Sequence, residues 1–357
     1  MSHFIMYYMK HFACFIALLC CINLMYGQHQ YPELSCATDA LHLEMFRAHP
    51  ELAEREARVE QQYRETVTLQ SRSAASLKYT LPVVVHIIHD NGPENISDAQ
   101  VLQGITYLND AFRNRNYYNP QTGVDTEIEF CLAKRDPAGN AINGILRYQS
   151  PITDMSTHFS HSQLYNLTNW DTENYINITL VREVCIGGQC KAAGYATFAS
   201  VQGTPGDGIV MEAEYFGKNA AESTVIVHEM GHYLGLHHTF LGGCKNDNCL
   251  QDGDAVCDTP PDNVAGFFPC SANFNSCSTD SGDPSAHNPY RSLALGGLGD
   301  QPDMNRNYMD YTPQWCRDQF TTGQRARMQF FIENVRTLLM RNAEYGMMRT
   351  ILLDIFA

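Results

Sequence analysis

The apolar positions of this chain change character along its length. Residues 81–88, Leu-Pro-Val-Val-Val-His-Ile-Ile, form a nearly unbroken β-branched run, the pattern of a strand buried on both faces. Val101, Ile105, Leu108 and Phe112 then recur at helical spacing behind Ser97 or Asp98, either of which can cap a helix. Further strands are predicted at residues 127–133, 175–181, 193–199 and 208–212. Val225, Ile226 and Val227 lead into another helix, with Ser223 or Thr224 at its start. Beyond that helix the periodicity fades and Gly, Asn, Asp and Pro dominate. Strands and helices that alternate and then stop predict an α/β (α+β) fold. Its N-terminal lobe carries a mixed twisted sheet plus helices, followed by an irregular C-terminal lobe. No internal repeat is visible.

Ahead of the first strand the texture differs. Residues 1–27 read as a secretory signal peptide, with Lys10 as the positive flank and residues 12–24 as an apolar core near the expected length. A membrane anchor is the alternative, but the run is short of the roughly 20 residues a span requires, and Asn23 interrupts it. Residues 28–78 read as a pro-segment. Between 41 and 62 it is rich in Glu, Ala, Arg and Leu without a strong core stripe. It ends in the small-residue stretch Gln70-Ser71-Arg72-Ser73-Ala74-Ala75-Ser76, so cleavage is expected near Arg72 or Lys78. A mature domain of residues 79–342 and a tail of 343–357 follow. Sequons begin at Asn95, Asn166 and Asn177; Asn177 falls in a predicted strand, which leaves the first two as sites for a glycoprotein.

Composition adds exclusions. With 357 residues, 44% hydrophobic and 18% charged, the chain can bury a sizeable core, and a net charge of −15 argues against nucleic-acid binding. Of 13 cysteines, Cys14, Cys20 and Cys21 fall in the signal peptide. In an exported chain disulfides are the default for the rest. Cys185 and Cys190 can close a local loop, and Cys244, Cys249, Cys257, Cys270, Cys277 and Cys316 can staple the irregular lobe. Four bridges leave Cys36 and Cys131 over, the latter expected as a buried free thiol in a strand.

The candidate chemistry lies in His228-Glu229-Met230-Gly231-His232-Tyr233-Leu234-Gly235-Leu236-His237-His238. Four residues apart on a helix, His228 and His232 share a face and can hold one cation. Gly235 suits a left-handed stop that swings the chain back and delivers His238 as third ligand. Three imidazoles with an open fourth position make a catalytic zinc site, whereas structural zinc is closed by four protein ligands. Glu229 is placed to take a proton from water and pass it to a leaving amine. His237 is expected to face elsewhere. Cys36 can fill the open position as a thiolate and keep an enzyme latent, or be an ordinary disulfide partner. Asp252, Asp254, Asp258 and Thr259 gather oxygen donors suited to Ca²⁺, although the spacing is not that of an EF-hand; a solvated acidic loop is the alternative. Downstream, Met309 can form an apolar floor under the imidazoles, and Tyr311 can aim its hydroxyl at a reaction intermediate.

Together these pieces resemble the pappalysin-type metzincins, zinc endopeptidases that are secreted or exported. The resemblance spans roughly residues 79–340. It rests on the zinc helix ending His238-Thr239-Phe240, then Gly242-Gly243-Cys244, Gly253-Asp254 with Asp258-Thr259-Pro260, and residues 307–311 through Gln324. It implies zinc on His228, His232 and His238, Glu229 as base and acid, Met309 as Met-turn and Tyr311 as intermediate stabiliser. It further implies bridges Cys244–Cys277 and Cys270–Cys316, a calcium loop and a Cys36 latency switch; Cys249 and Cys257 look like an added local bridge. Family members that prefer a basic residue after the scissile bond use an acid a few residues past the Met-turn. Here that segment reads Thr312-Pro313-Gln314-Trp315, with no acid before Asp318, so a less basic, more apolar preference is expected. The glycine-rich 293–300 stretch looks like an inserted loop near the cleft. The expected protein is a secreted monomeric zymogen acting on protein or peptide substrates, with no nucleic-acid partner and no membrane anchor after signal cleavage. The rivals are a non-catalytic, metal-stapled binding protein, against which Glu229 argues, and a zinc hydrolase of non-peptide amides.

Overall fold

A long strand with partners along both edges organises the molecule. The computed structural model describes residues 35–69, 79–118, 121–158, 161–168, 170–186, 188–263, 270 and 274–340; the expected signal peptide, the cleavage positions Arg72 and Lys78, and the tail lie outside them. In chain order the strands are β1 (Ser35–Cys36), β2 (Tyr79–His89), β3 (Ile128–Leu132), β4 (Ile145–Gln149), β5 (Ile176–Val181), β6 (Val184–Ile186), β7 (Gln189–Ala196) and β8 (Ile209–Glu212). The longer helices are α1 (Thr38–Ala48), α2 (Pro50–Leu69), α3 (Asp98–Phe112), α4 (Thr224–Tyr233) and α5 (Thr322–Asn334).

β2 is the β-branched run, and its burial on both faces follows from its position. One edge pairs in parallel with β5; the other pairs with β3 over Tyr79–Val83 and with β4 over Val85–His89. The main path runs β1-β7-β8-β5-β2-β3, with β7 antiparallel to β8 and β1 parallel to β7. Sequence patterning missed β1, β4 and β6, which have two, five and three residues. β1 and β6 are too short to carry a readable period, and β4 buries only its first residue, Ile145. α3 starts as expected: Ser97 Oγ accepts from Gln100 N–H at 3.2 Å, and Val101, Leu108 and Phe112 are fully buried. The expected cap of α4 does not form, because Ser223 is itself helical and makes no capping bond.

The expected pro-segment packs as two helices split at His49, with Pro50 opening the second, where its missing N–H costs nothing. Ala37 and Leu41 join the core formed by Val181, Val184, Ile186 and Tyr195. α2 does carry a stripe: Val59, Tyr63 and Val67, four residues apart, lie on Phe330 and Phe331 of α5. Its three members were too sparse to stand out among the charges. Full burial of an aromatic side chain contributes about 1.5–3 kcal/mol, so Tyr63 alone holds α2 appreciably.

Between α4 and α5 the described chain has no strand and is held by cross-links: Cys244–Cys277, Cys249–Cys257 and Cys270–Cys316, while Cys185–Cys190 closes the β6–β7 hairpin. Cys36 and Cys131 are free, but Cys131 is exposed rather than buried. β3 buries its even-numbered positions, and alternation turns residue 131 outward. A capping box between Thr321 and Gln324 starts α5, whose Arg327 donates from Nε to Gly235 O at 2.7 Å. Further on, buried Arg336 pairs with Asp207 at 2.7 and 3.0 Å, tying the C-terminal helix region to the β7–β8 connection. No helix among the described residues is long and apolar enough to cross a membrane.

Candidate metal centre and active site

α4 is buried along its whole length, and His228 and His232, one turn apart on it, point at one spot. Gly235 has φ +94°, the left-handed stop, and a Cβ there would collide with the Phe331 ring. The chain then doubles back and delivers His238. The three Nε2 atoms stand 3.2, 3.1 and 3.0 Å apart. Nitrogens on a tetrahedral zinc at about 2.0–2.1 Å would be separated by roughly 3.3 Å, so the triangle has the right size. Each Nδ1–H has an acceptor: His228 donates to Tyr308 O at 2.6 Å, His232 to Leu236 O at 2.8 Å and His238 to Asp39 Oδ2 at 2.8 Å. These acceptors fix the tautomers and leave every Nε2 lone pair facing inward. Burial and mutual repulsion push His228 and His232 well below the usual imidazole range, so both are neutral, as ligation requires.

Cys36 completes the cluster: its Sγ lies with the three imidazole nitrogens inside one span of 4.8 Å. β1 brings it there by pairing Cys36 with Gly194. Burial, and then the neighbouring Glu229, push this thiol up, so a thiolate here needs a cation. Glu229 Oε2 lies 3.4 Å from Cys36 Sγ and 3.3 Å from Thr38 Oγ1. Burial raises its carboxyl to about 8, against hydrogen bonds from Cys36 and Thr38 and the charge of Arg317. Tyr311 donates its hydroxyl to Cys36 O at 2.8 Å, and its ring stands 4.7 Å from that of His238. His237 is turned away toward Glu60, 3.4 Å from its carboxylate.

A family model described as pregnancy-associated plasma protein-A matches residues 160–333, which contain all three histidines, Glu229, Met309 and Tyr311. A structure of Tannerella forsythia promirolysin, a mutant, superposes with TM-score 0.64 at 27% identity, covering 87% of this chain and 98% of that one. Over the segment matched by the family model, the chain is a pappalysin-type metzincin metalloprotease. Mature mirolysin in complex with a cleaved peptide superposes with TM-score 0.58 at 28% identity, over 76% of this chain and 98% of that one. An extracellular metalloprotease of Pyricularia oryzae is 26% identical over 75% of this chain and 79% of its own length. Another, of Verticillium alfalfae, is 33% identical but aligned over 40% of this chain and 44% of that one.

For a pappalysin-type metzincin, the segment behind the histidines is informative. Met309 is fully buried, and a Cβ on Gly231 would lie 2.5 Å from its sulfur, so the glycine lets the thioether in beneath the metal face. Asn307 fixes this turn: its Oδ1 accepts from Met309 N–H, and its amide exchanges two 2.9 Å bonds with Gln324. The acidic loop divides. Asp252 pairs with Lys245 at 2.5 Å, and Asp258 caps α5 through Thr321 Oγ1 and Gly323 N–H at 2.7 and 2.8 Å. Asp254, by contrast, is buried with both carboxylate oxygens 2.8 Å from Thr259 Oγ1, which is also 2.8 Å from Val256 O. Sequence reasoning missed Thr38 and Asp39, the neighbours that bring Glu229 and His238 their partners. The carboxyl three residues after Cys36 was the available signal.

Proposed function

We propose that this metalloprotease is an exported zinc endopeptidase made as a latent zymogen. The convergence of three oriented imidazoles, a thiol and a buried carboxylate at one point supports that reading most directly. A zinc ion on His228, His232 and His238 would supply Lewis acidity, polarising a carbonyl and making a water acidic. Glu229 would take a proton from the attacking water and deliver it to the leaving amine. Tyr311 donates to a carbonyl oxygen as it gains charge, in the way its hydroxyl now meets Cys36 O. Met309 supplies the apolar floor.

Latency is assigned to the segment before β2. Cys36 sits at the fourth position, Thr38 engages Glu229 and Asp39 engages His238, so one short stretch covers ligand, base and second layer. The larger share of this chain matched by promirolysin than by mature mirolysin, 87% against 76%, agrees. Export rests on the signal-like residues 1–27 and on relatives named as extracellular. Calcium is assigned to Asp254, Thr259 and the Val256 carbonyl; burial raises Asp254 to about 7, as for a carboxylate that lacks a cation. Asp252 and Asp258 have other work. Among the sequons, Asn177 is excluded, since its Oδ1 is held by His86 Nε2 at 2.9 Å inside the sheet.

The test is casein or gelatin cleavage by purified protein before and after trimming of the pro-segment, beside Glu229→Ala and with a zinc chelator. Activity should appear on trimming and vanish with both the mutation and the chelator. Zinc-loaded, trimmed protein that cleaves nothing would favour a binding protein instead.

A further inference from the structure

Three rings close on one another beside the imidazole triangle, and two of them belong to the site already described. The Phe240 ring stacks face to face on His238, with centroids 4.7 Å apart and planes 11° from parallel. The Tyr311 ring stands across both, 4.7 Å from His238 at 75° and 4.8 Å from Phe240 at 64°. A stacked pair flanked by two T-shaped ones is an arrangement that ring quadrupoles favour. Phe240 is half-buried and has no polar atom, so what it brings to the site is this contact.

The backbone around Phe240 is fixed by parts of the chain outside the expected pro-segment. Thr239 N–H donates to Met309 O at 3.3 Å, Leu241 N–H to His238 O at 3.1 Å and Gly243 N–H to Phe240 O at 3.3 Å. The next residue, Cys244, is bridged to Cys277. Tyr311 is held differently: its hydroxyl donates to Cys36 O, which on the zymogen reading departs with β1. His238 gives up its Asp39 partner in the same event. Phe240 therefore touches both of the groups that the departing segment releases.

We infer that Phe240 is a positioning residue that holds the Tyr311 ring against His238 in the trimmed enzyme. The hydroxyl then still points to where Cys36 O had been, which is where a substrate carbonyl oxygen gains charge. This rests on the role proposed for Tyr311 above. A donor aimed beforehand stabilises developing charge better than one that must first swing into place. For Tyr311 the aim is set by what packs on its ring.

The experiment measures kcat and KM of the trimmed enzyme on one quenched fluorescent peptide. Phe240→Ala, Phe240→Leu and Phe240→Tyr are each made beside Tyr311 and beside Tyr311→Phe. Phe240→Ala should lower kcat about three- to tenfold, the share of the poised state that one aromatic pair sustains, with KM within about twofold. Phe240→Leu fills the space without a ring and should fall with it, which keeps the test open where the alanine variant does not fold. Phe240→Tyr restores the ring and should match the parent. In the Tyr311→Phe background the same losses should shrink below about twofold, because no hydroxyl is left to aim. Equal losses in both backgrounds would assign the effect to His238 or to folding and overturn the inference, as would parent kcat in Phe240→Leu. A second readout needs no turnover: Overhauser contacts between the Tyr311 and Phe240 rings should persist in the trimmed chain, with zinc present or removed, and their absence overturns it. Tyr311→Phe equal to the parent removes the hydroxyl's role and this inference while leaving the peptidase standing. A trimmed parent that cleaves neither peptide nor casein removes the endopeptidase reading as well.

Discussion

Replacing Glu60 by Ala should loosen the pro-segment from a distance. Glu60 lies on α2, 24 residues beyond Cys36, and grips both Nη groups of Arg327. Arg327 is fully buried, with its guanidinium 4.7 Å from the centre of the Tyr63 ring, while the Glu60 side chain is only 14% exposed. Burial works to raise the Glu60 carboxyl, yet Arg327 and His237 overcome it and hold it well below the usual carboxylate range. Removing one partner of a buried pair typically costs about 3–5 kcal/mol, because the other charge stays buried and unpaired. Arg327 keeps its bond to Gly235 O and water has some access past residue 60, so about 2–3 kcal/mol is the appropriate figure. That cost falls on the docked state alone, since undocking hydrates Arg327. At about 1.4 kcal/mol per tenfold, the undocked fraction rises roughly 30- to 150-fold. The assay is hydrolysis of a quenched fluorescent peptide by full-length chain carrying Arg72→Ala and Lys78→Ala to block trimming. Basal activity of Glu60→Ala should exceed that of its parent by this factor, with Glu60→Gln in between. Basal activity within twofold of the parent, in a background where Cys36→Ala is clearly active, would refute the anchoring role of α2.

Three further outcomes are expected. Cys36→Ala should raise basal activity of the same untrimmable chain about tenfold or more, and adding Glu60→Ala should raise it again, because the two contacts lie at opposite ends of the segment. Removing calcium with a selective chelator should lower the melting temperature by about 5–10 °C, as expected for a site filled to about 100 times its Kd in a domain of this size, and Asp254→Asn should abolish the effect. Glu212 is raised to about 7, by burial first, with Val184 N–H working against it at 3.1 Å. A carboxyl raised in the folded state stabilises below its unfolded pKa near 4.5, and that stability is lost as pH climbs through about 7. Denaturant melts should therefore show on the order of 1–2 kcal/mol less loss of stability between pH 5 and 8 in Glu212→Gln than in the parent, after discounting for partial exposure; equal losses in the two would refute this.

How much of this was legible depended on whether the information was local. The β2 run, the α3 stripe and the Gly235 stop are set by neighbours in sequence, and each is where its pattern puts it. β1 and β6 are strands only because β7 offers them an edge, so nothing in their own few residues announces them. Cys131 misled because a cysteine in a strand suggests burial, whereas the face it occupies is fixed by the register against β2. The acidic loop misled in a similar way. Three aspartates within seven positions look like one site, yet Lys245, seven residues upstream, claims Asp252, and the N-terminus of α5, 65 residues away, claims Asp258.

The site divides along the same line. His228, Glu229, His232 and His238 are ordered by one helix and one turn, and eleven consecutive residues suffice to name them. Their orientation is not local: Tyr308 O comes from 80 residues downstream and Asp39 from 199 upstream. The two ends have different consequences. Tyr308 belongs to the same turn as Met309, which the Asn307–Gln324 pair keeps in place whatever happens to the N-terminal segment. On the zymogen reading proposed above, Asp39 would leave with the pro-segment, and His238 would have its carboxylate partner only in the latent chain. The contacts that order the histidines would then be split between parts that stay and a part that is discarded. On that reading latency and ligand orientation share a single stretch, Cys36 to Asp39: Cys36→Ala would relieve the first and leave the Asp39 contact to His238 in place, whereas Asp39→Ala would touch both.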